Sequence, residues 1–99
     1  GAKVGLVLIP ARFQVRDDEF QRLSATAEQA GGTLLRHEGT ERFIKALKPL
    51  NEPILNLLPL FTALEDPAAL YFVGNGHLNR RGHRVAGDAL FDFLHTDGF

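Results

Sequence analysis

Two apolar runs that lack the alternation of a half-buried strand constrain the fold of this chain most. Residues 4–10 read VGLVLIP, and residues 53–59 read PILNLLP. Short continuous apolar runs that end in proline are typical of strands buried on both faces, as in a parallel sheet. Residues 70–73, LYFV, predict a third short strand or extended segment.

Three helices are predicted around these strands. The first begins at Asp17, where three consecutive carboxylates favour the positive end of the helix dipole, and it ends at the glycine pair 31–32. The second is short, with Thr40 as its expected N-cap and Pro49 as its stop. The last runs from about residue 80 to residue 95, with Asn79 as its N-cap and a wide apolar stripe on one face.

Strands that alternate with helices predict an α/β fold in which helices flank a parallel sheet. Residues 12–16 are expected to form a loop, and residues 59–64 a helical turn that starts at proline. We expect residues 1–99 to be a single α/β domain or a domain fragment. A sheet this narrow has an exposed edge, so either further sequence upstream completes it or a homodimer covers it.

Composition excludes several classes of function. The chain has 99 residues, of which 44% are hydrophobic and 23% charged, and its formal net charge is -1. This charge does not favour nucleic acid as a partner. The absence of cysteine excludes disulfides, zinc-thiolate sites and a cysteine nucleophile. The apolar runs are too short for a membrane span. No motif predicts a cofactor, and the cellular compartment stays open.

The densest polar cluster is residues 73–83, VGNGHLNRRGH. It follows a predicted strand, and ligand sites in open α/β sheets lie beyond the carboxyl ends of the strands. Local chemistry alone favours a turn before a helix, since glycine and asparagine are the commonest turn residues. A metal site that joins His77 to His83, with or without His95, is disfavoured because no nearby carboxylate completes it. The lysine and the glycine spacing of phosphate loops are missing as well.

The second half of the chain, PILNLLPLFTALEDPAALYFVGNGHLNRRGHRVAGDALFDFL, resembles the C-terminal end of SGNH/GDSL-type hydrolases. The segment HLNRRGH with its flanks is the most specific part of this likeness. The family pattern also places a core strand and its helix where residues 4–10 and the first predicted helix stand. The resemblance therefore covers essentially the whole chain. It implies the C-terminal portion of a flavodoxin-like three-layer parallel sheet with flanking helices.

The same resemblance implies roles for two residues. His77 matches the general base, which accepts the proton of the serine nucleophile and returns it to the leaving group. Asn75 stands where the family carries the triad aspartate. An amide can hydrogen-bond an imidazole but cannot stabilise an imidazolium by charge. In the serine-protease triad such a change lowers turnover about 10⁴-fold. A backbone carbonyl that orients the histidine would preserve a working dyad.

The nucleophile of the family is not found in these residues. Its serine block and its oxyanion-hole donors lie upstream of the part that this chain matches, and the one serine here, Ser24, falls within the first predicted helix. The resemblance thus implies the C-terminal segment of an acyl ester hydrolase or acyltransferase that acts on a small ester or an acylated carbohydrate. The isolated chain is expected to be inactive. The alternative is a binding or assembly module that has lost catalysis.

Overall fold

A two-stranded parallel sheet is the centre of the fold. The computed structural model describes residues 3–97. Strand β1 (Leu6–Leu8) pairs in parallel with β2 (Ile54–Asn56), with Leu6 opposite Ile54 and Leu8 opposite Asn56. The predicted mixed α/β class with a parallel sheet is therefore confirmed, although both strands are shorter than the apolar runs. The α-helices are α1 (Arg12–Val15), α2 (Asp17–Gln29), α3 (Glu38–Leu47), α4 (Leu57–Thr62) and α5 (Arg80–Thr96), and the 3-10 turns are Lys48–Leu50 and Pro67–Leu70.

The second apolar run changes from strand to helix in its middle. The Oδ1 atom of Asn56 accepts a hydrogen bond from the backbone N–H of Leu58 at 3.1 Å, so Asn56 is the N-cap of α4. The strand was predicted to continue through residue 59 and ends three residues earlier, at Asn56, and the helix predicted to begin at Pro59 begins two residues earlier, at Leu57. The apolar pattern continues across the change because Leu57 and Leu58 are buried in the helix instead.

The segment after β1 is helical, which corrects the predicted loop at residues 12–16. The buried side chain of Gln14 explains the difference. Its Oε1 accepts from the backbone N–H of Ala11 at 2.8 Å, and its Nε2 donates to the Thr40 hydroxyl at 2.9 Å. Thr40 therefore does not cap α3, as predicted, but lies inside its first turn, and the helix begins earlier, at Glu38.

The first and last long helices confirm the predicted bounds. Helix α2 begins at Asp17 and ends before Gly31, whose φ of +84° is a left-handed conformation that glycine adopts without strain. The backbone N–H of Gly32 then donates to the carbonyl of Ala27 at 2.9 Å. Helix α5 begins after Asn79, the predicted N-cap.

The buried core is drawn from one part of the chain, residues 57–78. Six hydrophobic side chains of residues 3–97 are buried, and they come from α4, the turn that precedes residue 71, and the hairpin that follows: Leu57, Leu58, Phe61, Leu70, Tyr71 and Leu78. Predicted strand 70–73 does not join the sheet, because Tyr71 forms only an isolated antiparallel bridge with Leu78. The Cα radius of gyration is 15.2 Å, whereas a compact domain of about 100 residues has one near 13 Å.

Candidate functional site

Residues 71–79 form a short hairpin whose tip carries the predicted site. Tyr71 and Leu78 make the antiparallel bridge at its base. The backbone N–H of Phe72 donates to the carbonyl of His77 at 2.9 Å, and the N–H of Asn79 donates to the carbonyl of Leu70 at 2.9 Å. The two ends of the loop are therefore held together, and His77 sits where the hairpin returns towards α5.

Asn79 joins the hairpin to α5. Its Oδ1 accepts from the backbone N–H of Gly82 at 2.9 Å, and its Nδ2 donates to the carbonyls of Ala69 at 2.7 Å and Tyr71 at 3.3 Å. One amide thus satisfies a free N–H of the helix terminus, a carbonyl of the 3-10 turn Pro67–Leu70 and a carbonyl of the hairpin. Gly82 is buried here, and the close approach of the Leu70 carbonyl leaves no room for a side chain.

Tyr71 joins the hairpin to the sheet. Its hydroxyl donates to the carbonyl of Pro10 at 2.6 Å, and its ring packs edge-on against Phe61 with 6.4 Å between centroids. Burial raises the pKa of the Tyr71 phenol to about 12, because the charged phenolate is disfavoured away from water. Since Pro10 follows β1, the hairpin lies beyond the carboxyl end of that strand, where the sequence predicted the site.

Arg12 clamps the tip of the hairpin. Its Nη1 donates to three backbone carbonyls, those of Phe72 at 2.6 Å, Val73 at 3.0 Å and Asn75 at 2.8 Å. Its Nε forms an ion pair with Glu19 of α2. The sequence reasoning missed this residue, because no local pattern indicates that a guanidinium binds carbonyls about sixty residues away.

His77 and Asn75 lie together, but not as an imidazole with an orienting partner. The Oδ1 atom of Asn75 accepts from the backbone N–H of His77 at 3.0 Å. This contact stabilises the turn. His77 is exposed, and within residues 3–97 no group hydrogen-bonds its imidazole ring. His77 borders a cleft of about 210 Å³ that Pro10, Tyr71 and His83 also line.

The other histidines do not assemble a metal site in the part of the chain that the structure describes. His83 shares the cleft with His77, but residues 3–97 contain no group of three histidine or acidic side chains placed to hold a metal ion. His95 lies near the end of α5, where its Nδ1 is 3.1 Å from the carbonyl of Phe91. Ser24 is half-buried within α2, as its place in the sequence predicted.

Comparisons with protein-family models, with curated proteins and with solved structures found no match. Among residues 3–97, none of the helices has both the length and the apolar character that crossing a bilayer requires. The function of the chain is therefore inferred from the geometry of the hairpin and from the residues around it.

Proposed function

We propose that this chain supplies the histidine base of an SGNH/GDSL-type acyl ester hydrolase or acyltransferase that acts on a small ester or an acylated carbohydrate. One observation carries the proposal. The exposed imidazole of His77, without a hydrogen bond from residues 3–97, stands in a clamped loop beyond the carboxyl end of a parallel strand. A general base needs such access to the proton that it takes, and ligands of open α/β sheets bind at this end.

The proposal includes further strands beside β1, as in a flavodoxin-like three-layer sheet. The backbone N–H of Leu6 donates to Pro53 in the segment before β2 at 2.9 Å, so the alternate residue Val7 directs its backbone groups to the other edge. Val7 and Ile9 are 39% and 58% exposed. An apolar strand with an unpaired edge is what natural folds usually cover. The large radius of gyration also supports a missing layer.

The nucleophilic serine and the oxyanion donors would come from residues that precede these in the parent protein. The Oδ1 atom of Asn75 accepts from the backbone N–H of His77. In this proposal a backbone carbonyl therefore orients the imidazole once the serine is in place. Such a dyad keeps the proton transfer and loses the charge stabilisation of a triad aspartate. We therefore expect a modest turnover number rather than none.

The test is hydrolysis of p-nitrophenyl acetate by the full-length parent protein. We expect His77→Gln to lower kcat by about 10²-fold to 10⁴-fold, the usual contribution of a general base. His83→Gln is the matched control, because His83 borders the same cleft, and its kcat should stay within about threefold of the parent value. Equal rates for the parent protein and His77→Gln would remove His77 from the mechanism.

Measuring ester hydrolysis by the isolated chain gives a second test. The chain should show no turnover above the uncatalysed background, because the proposal assigns the serine to another segment. A serine-dependent rate from these residues alone would contradict that assignment. Replacing the proposed nucleophile of the parent protein with alanine should abolish the activity, whereas Ser24→Ala in the parent protein should not change it.

A second candidate is a binding or assembly module derived from the same fold. The use of the Asn75 amide oxygen in the turn favours it, because that oxygen accepts from the backbone of His77 and not from its imidazole. This candidate predicts that the parent protein lacks a glycine-aspartate-serine block after an upstream strand and hydrolyses no ester. The presence of such a block, together with turnover that depends on His77, would support the enzyme and exclude this second candidate.

A further inference from the structure

A broad groove next to the hairpin is not used by the proposed function. It has a volume of about 680 Å³ and is lined by Phe72 from the hairpin and by the first two turns of α5. Its other lining residues are Asn79, Arg80, Arg81 and Arg84. The side chain of Asn79, one of these lining residues, makes three hydrogen bonds.

The charge of this groove is uncompensated. Arg80 and Arg84 are four residues apart and Arg81 and Arg84 three apart, so the three side chains project from neighbouring positions of one helix face. All three are exposed, and none forms an ion pair with another group of residues 3–97. The first turn of α5 contains no acidic residue. Like charges at this spacing repel one another, and cations at a helix N-terminus oppose its dipole.

The groove also offers an apolar surface. The side chain of Phe72 is 51% exposed although its backbone is fixed by both Arg12 and His77. An aromatic ring beside guanidinium groups suits a ligand that joins a ring to an oxyanion, because the planar guanidinium group binds two oxygens of a carboxylate or a phosphate in bidentate fashion. Three arginines match the charge of a phosphomonoester, about -2 at neutral pH, better than that of a single carboxylate.

We propose that the groove lined by Phe72, Arg80, Arg81 and Arg84 binds a small phosphomonoester whose ring packs on Phe72. The side chains supply the charge, and the proposal does not depend on the helix terminus, where Asn79 already accepts from Gly82. It also does not depend on a catalytic role for His77. The site would therefore remain if the parent protein proved to be a binding module.

Binding is tested on the purified chain with three probes at constant ionic strength: phenyl phosphate, inorganic phosphate and phenol. Isothermal titration should show phenyl phosphate binding at least tenfold more tightly than inorganic phosphate, and no binding of phenol. Arg81→Gln and Arg84→Gln should each weaken the binding of phenyl phosphate by tenfold or more. Arg42→Gln is the matched control, since Arg42 is an exposed arginine on α3, and it should leave the affinity unchanged.

One more variant distinguishes the contribution of the aromatic ring to binding from the contribution of the charge. Phe72→Ala should reduce the affinity for phenyl phosphate to that for inorganic phosphate, and leave inorganic phosphate unaffected. Circular dichroism checks that each variant keeps its helices, and Arg84→Lys, which retains the charge, should lose less affinity than Arg84→Gln. An equal loss in Arg42→Gln would reveal a non-specific charge effect and overturn the proposal. Tighter binding of a single-stranded oligonucleotide, abolished by the same arginine variants, would overturn it in favour of nucleic acid.

Discussion

Gly82 is the residue whose identity the packing restricts most. A Cβ atom built on it would lie 2.2 Å from the carbonyl oxygen of Leu70 and 2.9 Å from a methyl carbon of Leu78. The carbonyl belongs to the backbone and is itself held by the N–H of Asn79, so it cannot move aside cheaply. Glycine in a helix usually lowers stability, but here it permits the close contact between α5 and the hairpin.

Two alanine substitutions in the same helix should therefore have opposite effects. Gly82→Ala should destabilise the chain by about 1–3 kcal/mol or more, the usual range for an overpacked site. Gly87→Ala, where no atom lies within 4 Å of the added Cβ, should stabilise it by about 0.5–1 kcal/mol through helix propensity. Urea unfolding followed by circular dichroism measures both. A stabilising Gly82→Ala would show that the contact is looser than described.

Tyr71 makes stability depend on pH in the alkaline range. Its pKa is about 12 in the folded chain and about 10 when unfolded, so the folded state holds its proton more tightly. The stabilisation is fully present below pH 10 and is lost as the pH rises from 10 towards 12. We expect the urea midpoint of the unsubstituted chain to fall more steeply over this pH interval than the midpoint of the Tyr71→Phe variant. Parallel curves for the two proteins would contradict the assignment.

At the scale of an element, the tip of the hairpin depends on Arg12, whereas Tyr71 and Asn79 hold its base. Without this guanidinium the carbonyls of Phe72, Val73 and Asn75 lose their common donor, and the tip is held only by its own turn. Regions with few protected backbone groups open readily. Arg12→Gln should therefore speed amide exchange at Phe72 and His77 by about tenfold, which corresponds to roughly 1.4 kcal/mol of opening free energy.

Hydrogen exchange followed by NMR measures this effect residue by residue. Arg22→Gln is the control, because Arg22 is an exposed arginine on the neighbouring helix α2. It should leave the exchange of both hairpin amides unchanged. Exchange at Leu78, within the buried base of the hairpin, should respond less than exchange at the tip in the Arg12 variant. Uniform acceleration across the chain would indicate global destabilisation rather than release of the clamp.

Elements with local signals could be predicted from the sequence, and those set by distant partners could not. The strand cores, the glycine end of α2 and the Asn79 cap all follow from residues within a few positions of one another. Thr40 has the chemistry of a cap, yet its hydroxyl is taken by Gln14, 26 residues away. Asn75 was expected beside the His77 imidazole, but its Oδ1 accepts from the backbone N–H two residues on, a local contact that asparagine commonly makes in turns.

At the scale of the whole molecule, the free edge of β1 should promote association. Val7 within the strand and Val4 and Ile9 on either side of it are exposed. Phe43 of α3, which lines the same cleft as Val7 and Ile9, is 55% exposed. Pairing of two copies through this edge would bury the apolar side chains and satisfy the unpaired backbone groups. We expect the isolated chain to show a concentration-dependent dimer in sedimentation-velocity experiments.

A lysine on the edge should suppress that dimer, because charged side chains prevent edge-to-edge pairing. Val7→Lys tests this, with Val73→Lys as the control. Val73 is 88% exposed, more than Val7, but it lies in the hairpin rather than on the sheet. We expect the dissociation constant to rise at least tenfold for Val7→Lys and to stay within about twofold for Val73→Lys. An equal response of both variants would place the association elsewhere.

The clamp on the hairpin has a consequence for the order in which the chain assembles. Arg12 and its carbonyl acceptors are 60 to 63 residues apart, and the bond from Tyr71 to Pro10 spans 61 residues. During synthesis the guanidinium leaves the ribosome well before the atoms that it binds. Because closing a long loop costs entropy before its contacts form, the hairpin should dock late, after α5 has formed. Before the hairpin docks, Arg12 has its ion pair with Glu19 but none of its three carbonyl acceptors in the hairpin.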